Sequence, residues 1–303
     1  MAIAQHLTHW LGYPLVDFQG SLDDPTGTAY ALRVADGDRP FSQALEQLLA
    51  TAGSERLKSL VIGAWHEEMY DCDSSMVIDL LVQHRQQLAG LRHLFLGEIT
   101  YDEFEISWIV QSDMAPLLRA FPQLQWLTVR GASSLSFTYL EHANLRGLVV
   151  ESGGLPSTTL AQITHAELPQ LEHLEIWLGS DSYGGDSAVV DLQPILQDRF
   201  PRLRRLGLCN SEYAADIVEG LARSAVLDRL QELDLSRGNL DDAGAQPLLK
   251  NARFHLLKLL DVNDNYLSDR CLAELRARLP RVISEEQRDP DGDDGDRYCS
   301  VSE

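Results

Sequence analysis

Along most of this chain aliphatic residues return in one short phrase: an anchor, two other residues, a second anchor, one other residue and a third anchor. The phrase occurs eight times, at Leu57/Leu60/Ile62, Leu91/Leu94/Leu96, Leu124/Leu127/Val129, Leu145/Leu148/Val150, Leu171/Leu174/Ile176, Leu203/Leu206/Leu208, Leu230/Leu233/Leu235 and Leu257/Leu260/Val262. First anchors lie 21 to 34 residues apart, which is the pattern and period of a leucine-rich repeat. Successive strand residues point to opposite sides, so each phrase predicts a strand with its later anchors on one face. Such a strand cannot bury that face alone, and the units are expected to stack.

The stretches after the strands carry a different period. Met76–Val82 is apolar at helical spacing, Ala188–Leu196 is similar, and Ile217, Leu221 and Ala225 recur at four-residue steps, as Leu272, Leu275 and Leu279 nearly do. Pro122, Pro169, Pro201 and Pro280 stand where a helix must end before the next strand. The expected fold is therefore an α/β leucine-rich-repeat solenoid: a horseshoe with a parallel sheet on its concave face and helices on its convex face. Residues 57–283 would form the repeats. Residues 1–56 lack the phrase, but Tyr13–Phe18 and Tyr30–Val34 read as strands and Phe41–Leu49 as a helix, a cap for the first repeat. Residues 284–303 are acidic, and Glu285–Arg297 has no apolar side chain and predicts disorder.

Alternation assigns the positions between anchors to the open face of the sheet. Among them His93, Phe95, Trp126, Arg130, Glu151, His173, Glu175, Trp177, Arg205, Glu232, Asp234 and Asp261 are the candidate partner-binding residues, since aromatic and arginine side chains dominate binding hot spots. The acidic end, Glu232, Asp234 and Asp261, would suit a basic peptide. Loops leaving the strands form a second candidate, because ligands of parallel α/β sheets collect beyond strand C-termini. Trp65, Glu67, Tyr70, Asp102, Tyr183, Asp186 and Glu212 lie on that edge.

Composition narrows the picture. With 303 residues, 44% of them hydrophobic, and no apolar run long enough for a bilayer, no membrane partner is expected. Met1-Ala-Ile-Ala-Gln-His6 lacks a basic-then-apolar segment, and Cys72, Cys209, Cys271 and Cys299 are widely separated. Both features lead to an expectation of reduced thiols and a cytoplasmic protein. The formal charge is −21, of which the segment from Glu285 to Glu303 carries −6. Such a field repels nucleic acid and speeds encounter with a partner protein that has a basic surface, the alternative being that the charge only keeps the protein in solution.

Catalytic motifs are sparse. His66-Glu67 opens like a zinc-protease motif, but Tyr70 stands where the second histidine belongs. Asp289-x-Asp291-x-Asp293 imitates a calcium loop but has Asp294 at the glycine position and Ser300 at the bidentate position. No nucleophile elbow, phosphate loop or dinucleotide fingerprint is present. The expectation is a non-enzymatic interaction module or scaffold with no cofactor and no metal. The alternative is a hydrolase or modifying enzyme using carboxylates from loops 65–73, 98–105 and 181–186.

Several longer phrases remain: Pro14-Leu-Val-Asp-Phe18, Leu60-Val-Ile-Gly-x-Trp65, Glu105-Ile-Ser-Trp108 and Glu151-Ser-Gly-Gly-Leu-Pro156. To these are added Leu171-Glu-His-Leu-Glu-Ile-Trp-Leu-Gly179, Tyr183-Gly-Gly-Asp186, Leu206-Gly-Leu-x-Asn-Ser-Glu212 and Arg297-Tyr-x-Ser-Val-Ser-Glu303. Over its whole length the chain resembles a family of bacterial, cytoplasmic leucine-rich-repeat proteins of unassigned activity. The resemblance implies a horseshoe that serves other proteins, in a family whose genes often neighbour those of radical-type and ATP-grasp-type enzymes. It implies no catalytic residue. The chain departs from the general repeat in one respect: the asparagine that follows the strand is expected to survive only as Asn265, with Ser211 as a stand-in.

Overall fold

The computed structural model describes residues 3–34, 40–67, 69–289 and 297–301. Each of the eight phrases forms a strand: β4 (Ser59–Ile62), β5 (His93–Leu96), β6 (Trp126–Arg130), β7 (Gly147–Glu151), β8 (His173–Gly179), β9 (Arg205–Ser211), β10 (Glu232–Asp234) and β11 (Leu259–Asp261). Before them come β1 (His9–Trp10), β2 (Tyr13–Asp17) and β3 (Ala29–Leu32), and after them β12 (Val282–Ile283). The twelve strands make one sheet in sequence order. The β1–β2 pair is antiparallel and every other pair is parallel.

Register follows the anchors. Leu60, Leu94, Leu127, Leu148, Leu174, Leu206, Leu233 and Leu260 are partners in one continuous row. All eight are buried, and they share one apolar core with the inner faces of α1 (Phe41–Ala50), α2 (Ser75–Gln83), α3 (Ala115–Ala120), α4 (Ser157–Thr164), α5 (Gln193–Leu196), α6 (Ala214–Arg223), α7 (Gln246–Lys250) and α8 (Asp269–Arg276). The sheet is thus covered by helical segments on its anchor side. Between β6 and β7, where the repeat is shortest, there is room only for turns. The architecture is a mostly parallel α/β solenoid of leucine-rich-repeat type.

Residues 1–56 had been expected as a cap, and β2 and β3 extend the parallel ladder itself, Leu15 pairing with Ala29 and Ala29 with Ser59. The β1–β2 hairpin brings Trp10 and Leu15 into a small second core with Ala29, Ala31, Val61 and Phe95. Glu98, wholly buried just after β5, fastens this segment. One carboxylate oxygen accepts the Leu7 amide at 2.8 Å, and the other meets Arg33 Nε at 3.0 Å and His6 Nδ1 at 2.9 Å.

Of the acidic segment from Glu285 to Arg297, residues 290–296, with Asp291 and Asp293, lie outside the described residues; Arg288 is held by the carbonyls of Asp264 and Tyr298 and lies 4.3 Å over the Tyr266 ring. One expectation needs correction, the asparagine position. Asn265 does bond three carbonyls, of Leu235, Val262 and Asn263, and accepts the Leu240 amide. But Asn239 also bridges turns, accepting the Ala214 amide and donating to the Glu212 carbonyl, and Asn210 donates to the Ser152 carbonyl. Ser211 only accepts the amide of Tyr213 in its own turn. Asparagines one register away do the work because the longer amide side chain carries two N–H donors and a separate acceptor oxygen, whereas a serine hydroxyl has one donor and a shorter reach.

Candidate functional site

The open face of the sheet divides into a covered part and an uncovered part. Phe95 is 1% exposed because Trp10 lies against it at 5.8 Å and the Arg130 guanidinium sits over it at 5.2 Å. Phe95 and Arg130 are therefore not available to a partner. Arg130 is committed elsewhere too, with Nε donating to Glu151 at 2.6 Å and Nη1 to the Ile99 carbonyl at 2.7 Å. Trp177 is likewise 4% exposed, under the Arg237 guanidinium at 4.7 Å. On the loop edge Trp65 is 1% exposed, and its indole N–H donates to the Cys72 carbonyl. Alternation along a strand does not tell what lies over Phe95, Arg130 and Trp177.

Past the hairpin the face opens. Trp126 lies flat across β7, where Gly147 leaves space; a Cβ there would come within 2.1 Å of the indole ring. Its N–H donates to Thr128 Oγ1 at 3.1 Å, and its ring meets His173 at 4.9 Å between centroids. These two half-buried rings line a recess of about 740 Å³ together with Tyr13, His93 and the N-terminal strand edge. Arg146, Arg204 and Arg205 border the same recess. Arg205 is more than half exposed and pairs with Glu232 at 3.1 Å. His93 is held between Trp10 and Tyr13, and burial together with Lys58 and Arg92 lowers its pKa to about 4. It stays neutral above that range.

Beside the recess runs a carboxylate row. Register places Glu175, Gly207, Asp234 and Asp261 side by side on β8 to β11. Gly207 is required in its place, since a Cβ would approach Glu175 Cγ to 2.7 Å. Burial would raise the Glu175 carboxyl, but hydrogen bonds from His173 and Trp177, the latter at 2.9 Å, bring it below its ordinary value. Asp234 is raised by burial and by the charge of Glu175. Asp261 is raised to about 6 by burial and then by Asp234. The pKa of the buried Cys209 thiol is pushed well up by burial and by Asp234 and Glu175.

The loop edge carries two separate features. Tyr70, well exposed, stacks edge-on against Phe104 at 4.6 Å and faces Trp108 at 5.9 Å, with Glu67 and Asp102 exposed nearby in sequence. Asp186 accepts the Ser157 amide at 2.6 Å at the start of α4, a bond that lowers its pKa, so it serves a helix end. Tyr183 is partly buried in the same loop, and Glu212 sits after β9. Glu98 and Asp186 are each occupied in structural bonds, three strands apart along the edge, while His6 lies between the Glu98 and Glu103 carboxylates at 2.9 and 3.3 Å. Among the described residues no group of three His, Cys, Asp or Glu is arranged to hold a metal ion, and no helix is long and apolar enough to cross a membrane.

The residues that alternation missed are Arg237, Arg146, Arg204 and Tyr13. The arginines at 146 and 204 occupy the position just before a strand, a place also held by Lys58, Arg92, Lys258 and Arg281. That recurrence was visible in the sequence. Nothing in the sequence placed Tyr13 against the sheet, because a hairpin's packing partner is not a local property.

No protein-family model matches the chain, and no curated protein does. Among solved structures, a protein of Bacteroides fragilis is 32% identical, with a TM-score of 0.80 over 90% of this chain and 77% of that one. An internalin of Listeria monocytogenes is 15% identical over 85% of this chain and 80% of its own, with a TM-score of 0.31. The first is close, and the chain belongs to the family of the Bacteroides fragilis protein.

Proposed function

We propose that the chain is a protein-interaction module or scaffold, and that it uses the open sheet face, read as the concave side of a horseshoe, together with the loops beyond the strands. The observation that carries this reading is the recess in which the Trp126 and His173 rings meet, bordered by Arg205 and continuous with the row Glu175, Asp234 and Asp261. A rigid sheet holds these groups without further ordering, so little entropy is lost when a partner docks. Half-buried tryptophan and exposed arginine supply the anchors. The partner would bring a basic group to the carboxylate row and leave the arginine border to its acidic or polar groups. Residues 1–56 act as the cap of the solenoid in this reading, and the protein works in the cytoplasm on a partner protein rather than on nucleic acid or membrane.

The test is affinity capture from a lysate of the producing cells, with the wild-type chain beside Trp126→Ala and Trp126→Ala/Arg205→Glu. A stoichiometric protein held by the wild type and lost from both variants is the expected result. Capture of nothing by the wild type, or equal capture by all three, would sink the reading.

A further inference from the structure

Beyond β9 and β10 the chain meets its own C-terminal segment. Residues 298–301 lie across the loop edge, and they are held almost entirely through their main chain. The Val301 amide donates to Asn210 Oδ1 at 2.9 Å, and Asn210 Nδ2 donates back to the Val301 carbonyl at 2.5 Å. The Ser300 amide donates to the Arg237 carbonyl at 2.9 Å. Arg288 Nη1 donates to the Tyr298 carbonyl at 2.6 Å, and the Tyr298 amide donates to Tyr266 Oη at 3.3 Å. Side chains alternate as in an extended strand: Tyr298 is exposed, Cys299 buried, Ser300 intermediate and Val301 buried.

This is the way a protein reads an extended peptide: main-chain bonds give affinity, and pockets for alternate side chains give selectivity. The receiving residues have a backbone conformation that suits this contact. Asn210 stands in the left-handed region at φ 51°, as Arg237 does at φ 63°, and Asn210 is fixed by a further bond to the Ser152 carbonyl at 3.1 Å. A four-residue contact is weak by itself, but covalent attachment holds the segment at an effective concentration of order millimolar. We propose that the notch formed by Asn210, Arg237 and Tyr266 is a peptide-binding site, and that residues 298–301 are its resident, exchangeable ligand. The partner it fits is an extended peptide with small or branched apolar side chains at two alternate positions.

The notch also communicates with the sheet face. Arg237, whose carbonyl receives Ser300, covers Trp177, and Trp177 donates to Glu175. Ser152, whose carbonyl receives Asn210, donates its hydroxyl to the Trp177 carbonyl at 2.9 Å. Release of the segment therefore loosens the support of one end of the carboxylate row. The inference deepens the loop-edge part of the interaction reading, but its readout lies at Asn210 and not at Trp126, so either can fail alone.

The test uses the full chain and a fluorescent peptide with the sequence of residues 297–303. Val301→Asp in the chain places a carboxylate in a buried pocket and unseats the resident segment. That variant is expected to bind the peptide saturably and at least tenfold more tightly than the wild type, while a peptide carrying Val301→Asp binds neither. A second measurement keeps the wild-type chain: excess peptide carrying Cys299→Ser should speed alkylation of the chain's own Cys299, followed by mass spectrometry. Burial holds that thiol's pKa up at about 12 while the segment is seated. Equal peptide binding by both chains, no binding by a folded Val301→Asp chain, unfolding of that variant, or an unchanged alkylation rate would each overturn the proposal. In those cases the segment is a fixed part of the fold.

Discussion

Asp261 illustrates what position does to a common side chain. At the end of the carboxylate row its pKa stands near 6, against an ordinary 3.8, because it is buried and faces Asp234. The folded chain thus holds the proton more tightly than the unfolded chain does. Stability from this group falls as pH rises from about 4 to 6, and the penalty is complete above that range. Asp261→Asn should therefore stabilise the chain by about 1 kcal/mol at pH 7 and by nothing near pH 4, after allowance for partial solvent screening. Urea titrations at the two pH values check this, and a gain of the same size at both would count against the assignment. The sequence showed Asp261 on the open face. The repeat phrase also set Glu175, Asp234 and Asp261 at one position of their units, just after the second anchor; it could not show how deeply each carboxylate is buried, which depends on the neighbouring side chains.

Among the strands, β7 shows how a neighbour's side chain decides an element's composition. Its first residue, Gly147, lies under the Trp126 ring and has no room for a methyl group. Gly147→Ala should cost roughly 1–3 kcal/mol through overpacking and push Trp126 off His173. The expected signs are a shifted tryptophan emission and a loss of captured partner equal to that of Trp126→Ala, with the helical circular dichroism retained. Unchanged emission would mean that the ring does not rest on β7. The helices were legible from their spacing where they are long, as in α2, α6 and α8. The segment at Ala188–Leu196 gives a short helical turn and then α5, because Pro194 interrupts the hydrogen-bond ladder.

For the whole molecule, the decisive contacts join segments far apart in the sequence. Glu98 ties the region before β1 and the residue after β3 to the end of β5, with no exposure to water. Replacing one partner of such a buried group leaves the others unpaired. Glu98→Gln should cost about 3 kcal/mol and increase hydrogen exchange in β1 and β2. Asp17→Asn, which removes only the exposed partner of Arg33, should cost less than about 1 kcal/mol. Equal effects of the two changes would show that the N-terminal hairpin is held by packing alone.

The sequence by itself determined the repeating strand, the anchor face, the helical segments and the side of the sheet on which each intervening residue stands. Those are local and periodic properties, set by alternation along a strand and by apolar spacing along a helix. Only the tertiary structure decided that Phe95, Arg130, Trp177 and Trp65 are covered, that Trp126 and His173 remain available, and that the C-terminal segment returns to Asn210. Coverage is the physical reason: whether a side chain meets water depends on what folds back over it, and the residues that do so lie tens of positions away.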